Sequence, residues 1–580
     1  MKTFEKVIPF LKKNIFKLII GIILLVIVDA AQLYTIKIMQ KAIDDLSKTG
    51  FTQHMLLNAS LLIVGITLLI TILRYFWRIA FIGTAWIMDR DLRQMYYDHL
   101  MKLSANFYNK AKTGDLMAYA TNDMNAVRML IAFGFVIGAD IIVIAVMSIV
   151  FMVDISLRLT LLSIMPMPFL TLIIMYFGKK IHVRFRQVQK TFATMSGIVQ
   201  ESISGIRVIK AFVQEEAELE KMSKSARDYV DYNISLVKIF ALFHPAMFLL
   251  VNICMGIVLI YGGQAAILHD ISMGEFVAFF QYLGMLVWPM IAIGWIVNMF
   301  QRGTASLKRL NSIFEVAPEI VDKNIDENIS TLHGKISFQN LKFSYSDESQ
   351  LIFDDISFRI EAGKTLAIVG RTGCGKTTII DLLSRVYNPP GNTIFIDDNE
   401  IYKIPLETLR SNLVMVPQEI FLFSDTVANN ISLGKNEATR QEIEAVTKKA
   451  QVYDSIIEFE KGFDTIIGER GVTLSGGQKQ RLAIARALLT DPQILILDDA
   501  LSAVDTKTEK GILVDLIKMR KNKTTIIISH RISSIQHADK IIVLNKGKIE
   551  EEGNHAELLK KCGIYRDLYE KQQIEEKLAK

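Results

Sequence analysis

Apolar residues run in long blocks before about residue 300 and in short runs after it, so one chain is written for two different solvents. Six stretches, near 15–38, 55–80, 129–153, 157–178, 239–267 and 276–300, are apolar enough to cross a hydrocarbon core, which takes about 20 residues of helix. The connections after the first, third and fifth stretches are short, and those after the second and fourth are long. Residues 86–128 hold only Gly114, residues 179–238 hold only Gly197 and Gly205, and neither range contains proline. Both are therefore expected to continue as helix beyond the membrane. From about Gly334 the pattern changes to short β-rich runs separated by helices and polar turns. The pattern predicts a membrane α-helical bundle of six spans followed by an α/β domain.

Charge orients the bundle. The chain has 580 residues, 51% of them hydrophobic, and a net charge of +6. The fourth-to-fifth connection carries Lys179, Lys180, Arg184, Arg186, Lys190, Arg207, Lys210, Lys221, Lys224 and Arg227, whereas the fifth-to-sixth loop, with His269 and Asp270, has neither Lys nor Arg. Basic connections stay in the cytoplasm, so both termini and the α/β domain are expected there, in a multi-pass protein of the plasma or inner membrane. This use of the positive excess leaves no need for nucleic acid as a partner. Residues 1–14 mix Phe4, Val7, Ile8, Phe10 and Leu11 with Lys2, Lys6, Lys12 and Lys13, as an amphipathic helix on the inner leaflet would. The first apolar run lacks a small-residue cleavage pattern and is read as a membrane helix. Cys254, Cys374 and Cys562 show neither a metal-ligand nor a disulfide spacing. Four charged residues lie within spans: Asp29, Arg74, Arg78 and Asp140. Intramembrane charge invites a functional reading, and holding the bundle together is the equally open alternative. The aromatic and Met residues of the sixth span, from Phe279 to Phe300, fit packing or lipid contact, with a permissive apolar cavity as the other reading.

The chemistry begins at an apolar strand, Leu366–Val369, that runs into Gly370-Arg371-Thr372-Gly373-Cys374-Gly375-Lys376-Thr377-Thr378. Such a turn, opening a helix, cradles phosphates with backbone N–H groups; Lys376 reaches the β- and γ-phosphates and Thr377 ligates Mg²⁺. The aliphatic run Ile494–Leu497 ends in Asp498, which suits a buried strand presenting a carboxylate that holds Mg²⁺ through water. Between them, Leu474-Ser475-Gly476-Gly477-Gln478 opens a second helical run, Lys479–Leu489, and makes a second phosphate cradle. A simple P-loop kinase needs only one.

These two Walker motifs, the LSGGQ between them and the downstream Ser529-His530 together resemble the ATP-binding cassette (ABC) family, and the six preceding spans resemble its exporter branch. The resemblance covers nearly the whole chain. It implies an ATPase coupled to transport, with ATP and Mg²⁺ bound. Its domains would be an interfacial helix at 1–14, a transmembrane domain at 15–305, a linker at 306–333, a cassette at 334–572 and a charged tail at 573–580. By the same resemblance Tyr345 stacks on adenine, and Gln418 is the Q-loop residue that touches Mg²⁺ and senses the membrane domain. Ser502-Ala503-Val504-Asp505 is the D-loop and His530 the switch histidine near the γ-phosphate. Gly468-Glu469-Arg470 resembles the exporter segment that meets the cytoplasmic connections, in which Thr113-Gly114-Asp115 and 205–212 resemble coupling helices.

One position departs from the pattern. Where the family has Glu after the Walker B Asp, to polarise the attacking water, this chain has Asp499. A carboxylate one methylene short is expected to bind ATP normally and to turn it over slowly. In the family each ATP lies between the Walker motifs of one cassette and the signature of another. An impaired Walker site beside an intact LSGGQ therefore resembles one subunit of an asymmetric heterodimer, whose partner half-transporter supplies the Glu and uses Leu474 to Gln478 of this chain. A slow homodimer is the alternative, and an ATP-gated channel or regulatory subunit is a reading of another class. Drugs, lipids and other amphipathic compounds all fit as cargo, and no soluble binding protein is expected.

Overall fold

The structure, a computed structural model, describes residues 4–46, 53–345, 350–468 and 474–578. Glu469 and Arg470, assigned above to the segment meeting the cytoplasmic connections, lie outside the described residues. The chain divides into two compact units. Residues 1–101 and 113–316 form the first, and residues 102–112 and 317–580 the second.

In the first unit a short helix α1 (Ile8–Lys13) precedes α2 (Ile15–Leu46) and α3 (Gln53–Lys102). A six-residue helix α4 (Ala105–Lys110) follows and belongs to the second unit. Next come α5 (Thr113–Ile155), α6 (Leu157–Ser204), the short α7 (Ile206–Ala211), α8 (Glu215–Ile267) and α9 (Met273–Phe314). Among the described residues, α2, α3, α5, α6, α8 and α9 are the six helices long and apolar enough to span a membrane. Most run well past the apolar stretches, as the Pro-free connections require. The two short helices mark where the long connections reverse. The first lies at 105–110, and Thr113-Gly114-Asp115 instead opens α5. The second, at Ile206–Ala211, falls inside the expected 205–212.

Apolar packing and a few polar ties hold this bundle. Phe279 and Tyr282 of α9 are buried, and Tyr282 stacks on Phe151 with ring centroids 5.3 Å apart, whereas Trp288 and Trp295 are exposed. Ser272 N-caps α9 in a capping box with Glu275 and also donates to Asp44 at the end of α2 (2.8 Å). Gly274 is required there, since a Cβ would sit 2.2 Å from the Gln40 carbonyl oxygen. Asp29 and Asp140 lie against each other with Arg74 nearby, and Arg74 also donates to Gln32 (2.8 Å). Arg78 lies over the Trp77 ring, 5.7 Å from its centroid.

Among its described residues the second unit contains two sheets. The smaller is antiparallel, in the order β2 (Phe353–Ile360), β1 (Ile336–Phe343), β4 (Ile394–Ile396), β5 (Asn399–Glu400). The larger has the order β10 (Lys548–Gly553), β9 (Lys540–Asn545), β3 (Thr365–Gly370), β8 (Thr524–Ile528), β7 (Ile494–Asp498), β6 (Leu413–Val416). Every neighbouring pair in it is parallel except β10 with β9. The run Ile494–Asp498 is buried throughout, as a strand covered on both faces must be. Helices α10 (Lys376–Leu383), α11 (Gly476–Leu489) and α12 (Thr506–Met519) carry the remaining motif residues or follow them.

Candidate nucleotide-binding site

Because β3, β8, β7 and β6 point the same way, their C-terminal ends share one edge of the sheet. That edge gathers segments far apart in sequence: the loop 370–375 after β3, Ser529 and His530 after β8, Asp498 and Asp499 at the end of β7, and Gln418 just beyond β6. Open parallel sheets bind ligands at this edge, where helix N-termini and strand ends converge.

The loop is built for a phosphate group. Gly375 has φ +99°, a conformation that favours glycine, and a Cβ on it would lie 2.5 Å from the Phe353 ring. Helix α10 then starts at Lys376 with its N–H groups directed at the loop. Lys376 Nζ donates to the carbonyls of Gly370 (2.9 Å) and Arg371 (3.0 Å), so the ammonium lies across the cradle with backbone oxygens as its acceptors. Thr377 Oγ1 donates to Asp498 Oδ2 at 3.0 Å, which brings together two of the three groups assigned to Mg²⁺. Burial is the main force raising the Asp498 carboxyl above the usual carboxylate range, and Asp499 adds to it, while Thr377, Lys376 and His530 oppose the rise. A buried carboxylate beside a hydroxyl, with a second carboxylate next to it, is a donor set that suits a hard cation. Thr372, Gly373 and Cys374 complete the turn, with Gly373 also left-handed at φ +82°, and Thr378 follows on the first turn of α10.

Tyr345 comes from the end of β1 and reaches this helix: its hydroxyl and Thr378 Oγ1 are 2.9 Å apart. Burial is the first cause of a phenol held above its usual range. Gln418 and His530 are exposed at the sheet edge, and His530 also lies close enough to Asp498 to act on its charge.

Asp499 is left-handed at φ +47°, and its N–H bonds the Ile528 carbonyl at 2.9 Å. Asp is among the residues that tolerate such a backbone. The signature forms the cap of α11. Ser475 Oγ accepts from the Gln478 N–H (3.3 Å), and Gln478 Oε1 accepts from the Ser475 N–H (2.9 Å). Leu474 is buried behind it. Both glycines allow close approach of the D-loop, since a Cβ on Gly477 would be 2.9 Å from the Ala503 carbonyl and one on Gly476 would be 3.3 Å from Ala503 Cβ.

Two residues missed in the sequence hold that D-loop. Gln480 donates to Ser502 Oγ (3.0 Å) and accepts from the Ala503 N–H (2.8 Å). Arg531 donates to the carbonyls of Ser502 (2.8 Å) and Val504 (3.0 Å) and pairs with buried Glu509 (2.7 Å). Asp505 caps α12, accepting from the Thr508 N–H at 3.0 Å. Gln480 stands two residues past the signature and Arg531 one past His530, so their nearness to motifs was the only signal available.

Comparison with known proteins identifies the family. The family described as "ABC transporter transmembrane region" matches residues 18–290, and "ABC transporter" matches residues 353–502. The probable multidrug resistance ABC transporter ATP-binding/permease protein YheI of Bacillus subtilis is 40% identical over 97% of both chains. The multidrug resistance-like ATP-binding protein MdlA of Escherichia coli is 36% identical over 99% of this chain and 97% of its own. A bacterial Atm1-family ABC exporter solved with ATP bound superposes with a TM-score of 0.77 at 28% identity, over 97% of this chain and 99% of that one. The fused spans and cassette, and identity carried through both units, show that the chain belongs to the ABC exporters and bears their ATPase domain on the same polypeptide as their membrane region.

Proposed function

We propose that this chain is one half of a heterodimeric exporter that moves drugs, lipids or other amphipathic compounds out of the cytoplasm or the inner leaflet, and that its own Walker site turns over slowly. The observation that carries this reading is Asp499. Its backbone is held by a hydrogen bond to β8 and by a left-handed turn, so the side chain alone sets how far the carboxylate reaches, and that side chain is one methylene short of Glu. The intact signature at Ser475 to Gln478 then serves the partner's ATP, and the partner supplies the Glu that this chain lacks. ATP and Mg²⁺ suit the cradle of residues 370–378, with Thr377, Gln418 and Asp498 as the groups toward the metal. ATP supplies the free energy for transport, and the chain's residues orient it: Tyr345 under the base, Lys376 on the phosphates and His530 at the γ-phosphate end. The drug names of the relatives support a xenobiotic cargo, and the basic connections support a cytoplasmic cassette.

Purification in mild detergent from the native membrane, followed by mass spectrometry of what accompanies the chain at one-to-one stoichiometry, tests the pairing. The expected companion is a different half-transporter with Glu after its Walker B Asp. Recovery of self-copies alone would overturn the heterodimer.

A further inference from the structure

Helix α4, in the first long connection, is tied to residues beside the nucleotide cradle. At its start, Ser104 Oγ and Asn106 Nδ2 donate to the two carboxylate oxygens of Glu319 (2.9 and 3.1 Å). At its end, Asn109 Nδ2 donates to the Tyr387 hydroxyl at 2.5 Å. Tyr387 follows α10 closely, and its N–H bonds the Asp381 carbonyl of that helix at 3.3 Å. The Tyr387 ring meets the Tyr345 ring edge-on, with centroids 5.0 Å apart and planes at 74°. Tyr345 is in turn anchored to Thr378, and 41% of it is exposed.

The arrangement makes Tyr345 a ring under competition. A base stacking on its open face and a phosphate claiming the Thr378 hydroxyl both act against the present Tyr345–Thr378 bond. When Tyr345 shifts, the edge-on contact with Tyr387 changes, and the Tyr387 hydroxyl is the group that Asn109 grips. We propose that Tyr387 is a positioning residue that reports a base on Tyr345 to Asn109, so that α4 responds to the adenine as well as to the phosphates. This rests on Tyr345 being the adenine platform. The chain on either side of α4 continues into α3 and α5, so a response at Asn109 is applied to two spanning helices. A ligand biases such an element only by binding its two arrangements unequally, and the base supplies that inequality here.

The test uses the full transporter as purified, in lipid nanodiscs. Cys562→Ser removes the exposed thiol, Cys254 and Cys374 being buried, and Lys110→Cys carries an environment-sensitive fluorophore. ATP is compared with inorganic tripolyphosphate, which has no base. ATP is expected to shift the emission, and saturating tripolyphosphate to shift it several-fold less. Tyr387→Phe and Asn109→Ala are each expected to keep ATP affinity within about threefold while cutting the emission response about fivefold, the worth of one hydrogen bond. Asn109→Asp, which accepts from the Tyr387 hydroxyl instead of donating to it, should restore the response. A full response in Tyr387→Phe and Asn109→Ala, or equal responses to ATP and tripolyphosphate, would overturn the relay. Tyr345→Ala binding ATP as tightly as the wild type would instead overturn the adenine platform on which the relay rests.

Discussion

Replacing Asp499 by glutamate lengthens one side chain at a position whose backbone cannot follow. The N–H is bonded to the Ile528 carbonyl at 2.9 Å, Gln480 Nε2 lies 3.4 Å from the Asp499 carbonyl, and φ is +47°. The added methylene moves the carboxylate forward by about 1.3 Å. A misplacement of about 1 Å in a reacting group costs about 10²-fold in rate, equivalent to about 2.7 kcal/mol of barrier. The opposing term is small, because both side chains bear the same left-handed backbone, at φ +47°. That term falls on folding stability and leaves the barrier unchanged. Asp499→Glu is therefore expected to raise turnover at this site by about two orders of magnitude. Phosphate release is measured in nanodiscs, with any partner's Walker B glutamate changed to glutamine so that only this site reports. His530→Ala should abolish the gain. A wild-type rate within threefold of Asp499→Glu would refute the reasoning and make Asp499 a competent base.

Three further outcomes follow from the same geometry. Gly375→Ala places a Cβ 2.5 Å from Phe353 at φ +99°; backbone strain of about 1–2 kcal/mol plus displacement of the ring should lower the melting temperature and reduce nucleotide affinity more than tenfold in equilibrium titration. Gln480→Ala frees Ser502 and leaves the Ala503 N–H without its acceptor; it should cost about 1–3 kcal/mol in denaturant unfolding and lower ATPase activity with little change in nucleotide affinity. Asp381 is pushed up to about 6 by burial first and by Asp498 second. Its folded value lies above the unfolded one, so stability is full below about pH 4 and falls as pH rises through about 6. Asp381→Asn should then raise the melting temperature of the nucleotide-free protein at pH 7.5, corresponding to about 2 kcal/mol of stability, with roughly a third of that gain at pH 4.5.

The linear sequence determined what depends on short-range pattern. Six apolar runs of spanning length, the Gly-rich turn before Lys376, the small residues before α11 and the aliphatic run into Asp498 are local requirements of lipid, phosphate and a buried strand, so each is visible in its own segment. The shortened Asp499 was equally legible, being a single residue at a fixed offset. Tertiary structure decided what depends on which segments meet. The strand order β3-β8-β7-β6 sets His530, Asp498 and Gln418 along one edge, and no spacing in the chain encodes that order. Gln480 and Arg531 became D-loop clamps only through hydrogen bonds that span 22 to 29 residues. The reversal of the first connection fell at 105–110 and left Thr113-Gly114-Asp115 to open α5. Asn109 acquired a role only by reaching Tyr387, 278 residues away. Side-chain hydrogen bonds are short and directional, so which polar residues share them is settled when the backbone brings them within about 3 Å, and that is a property of the fold.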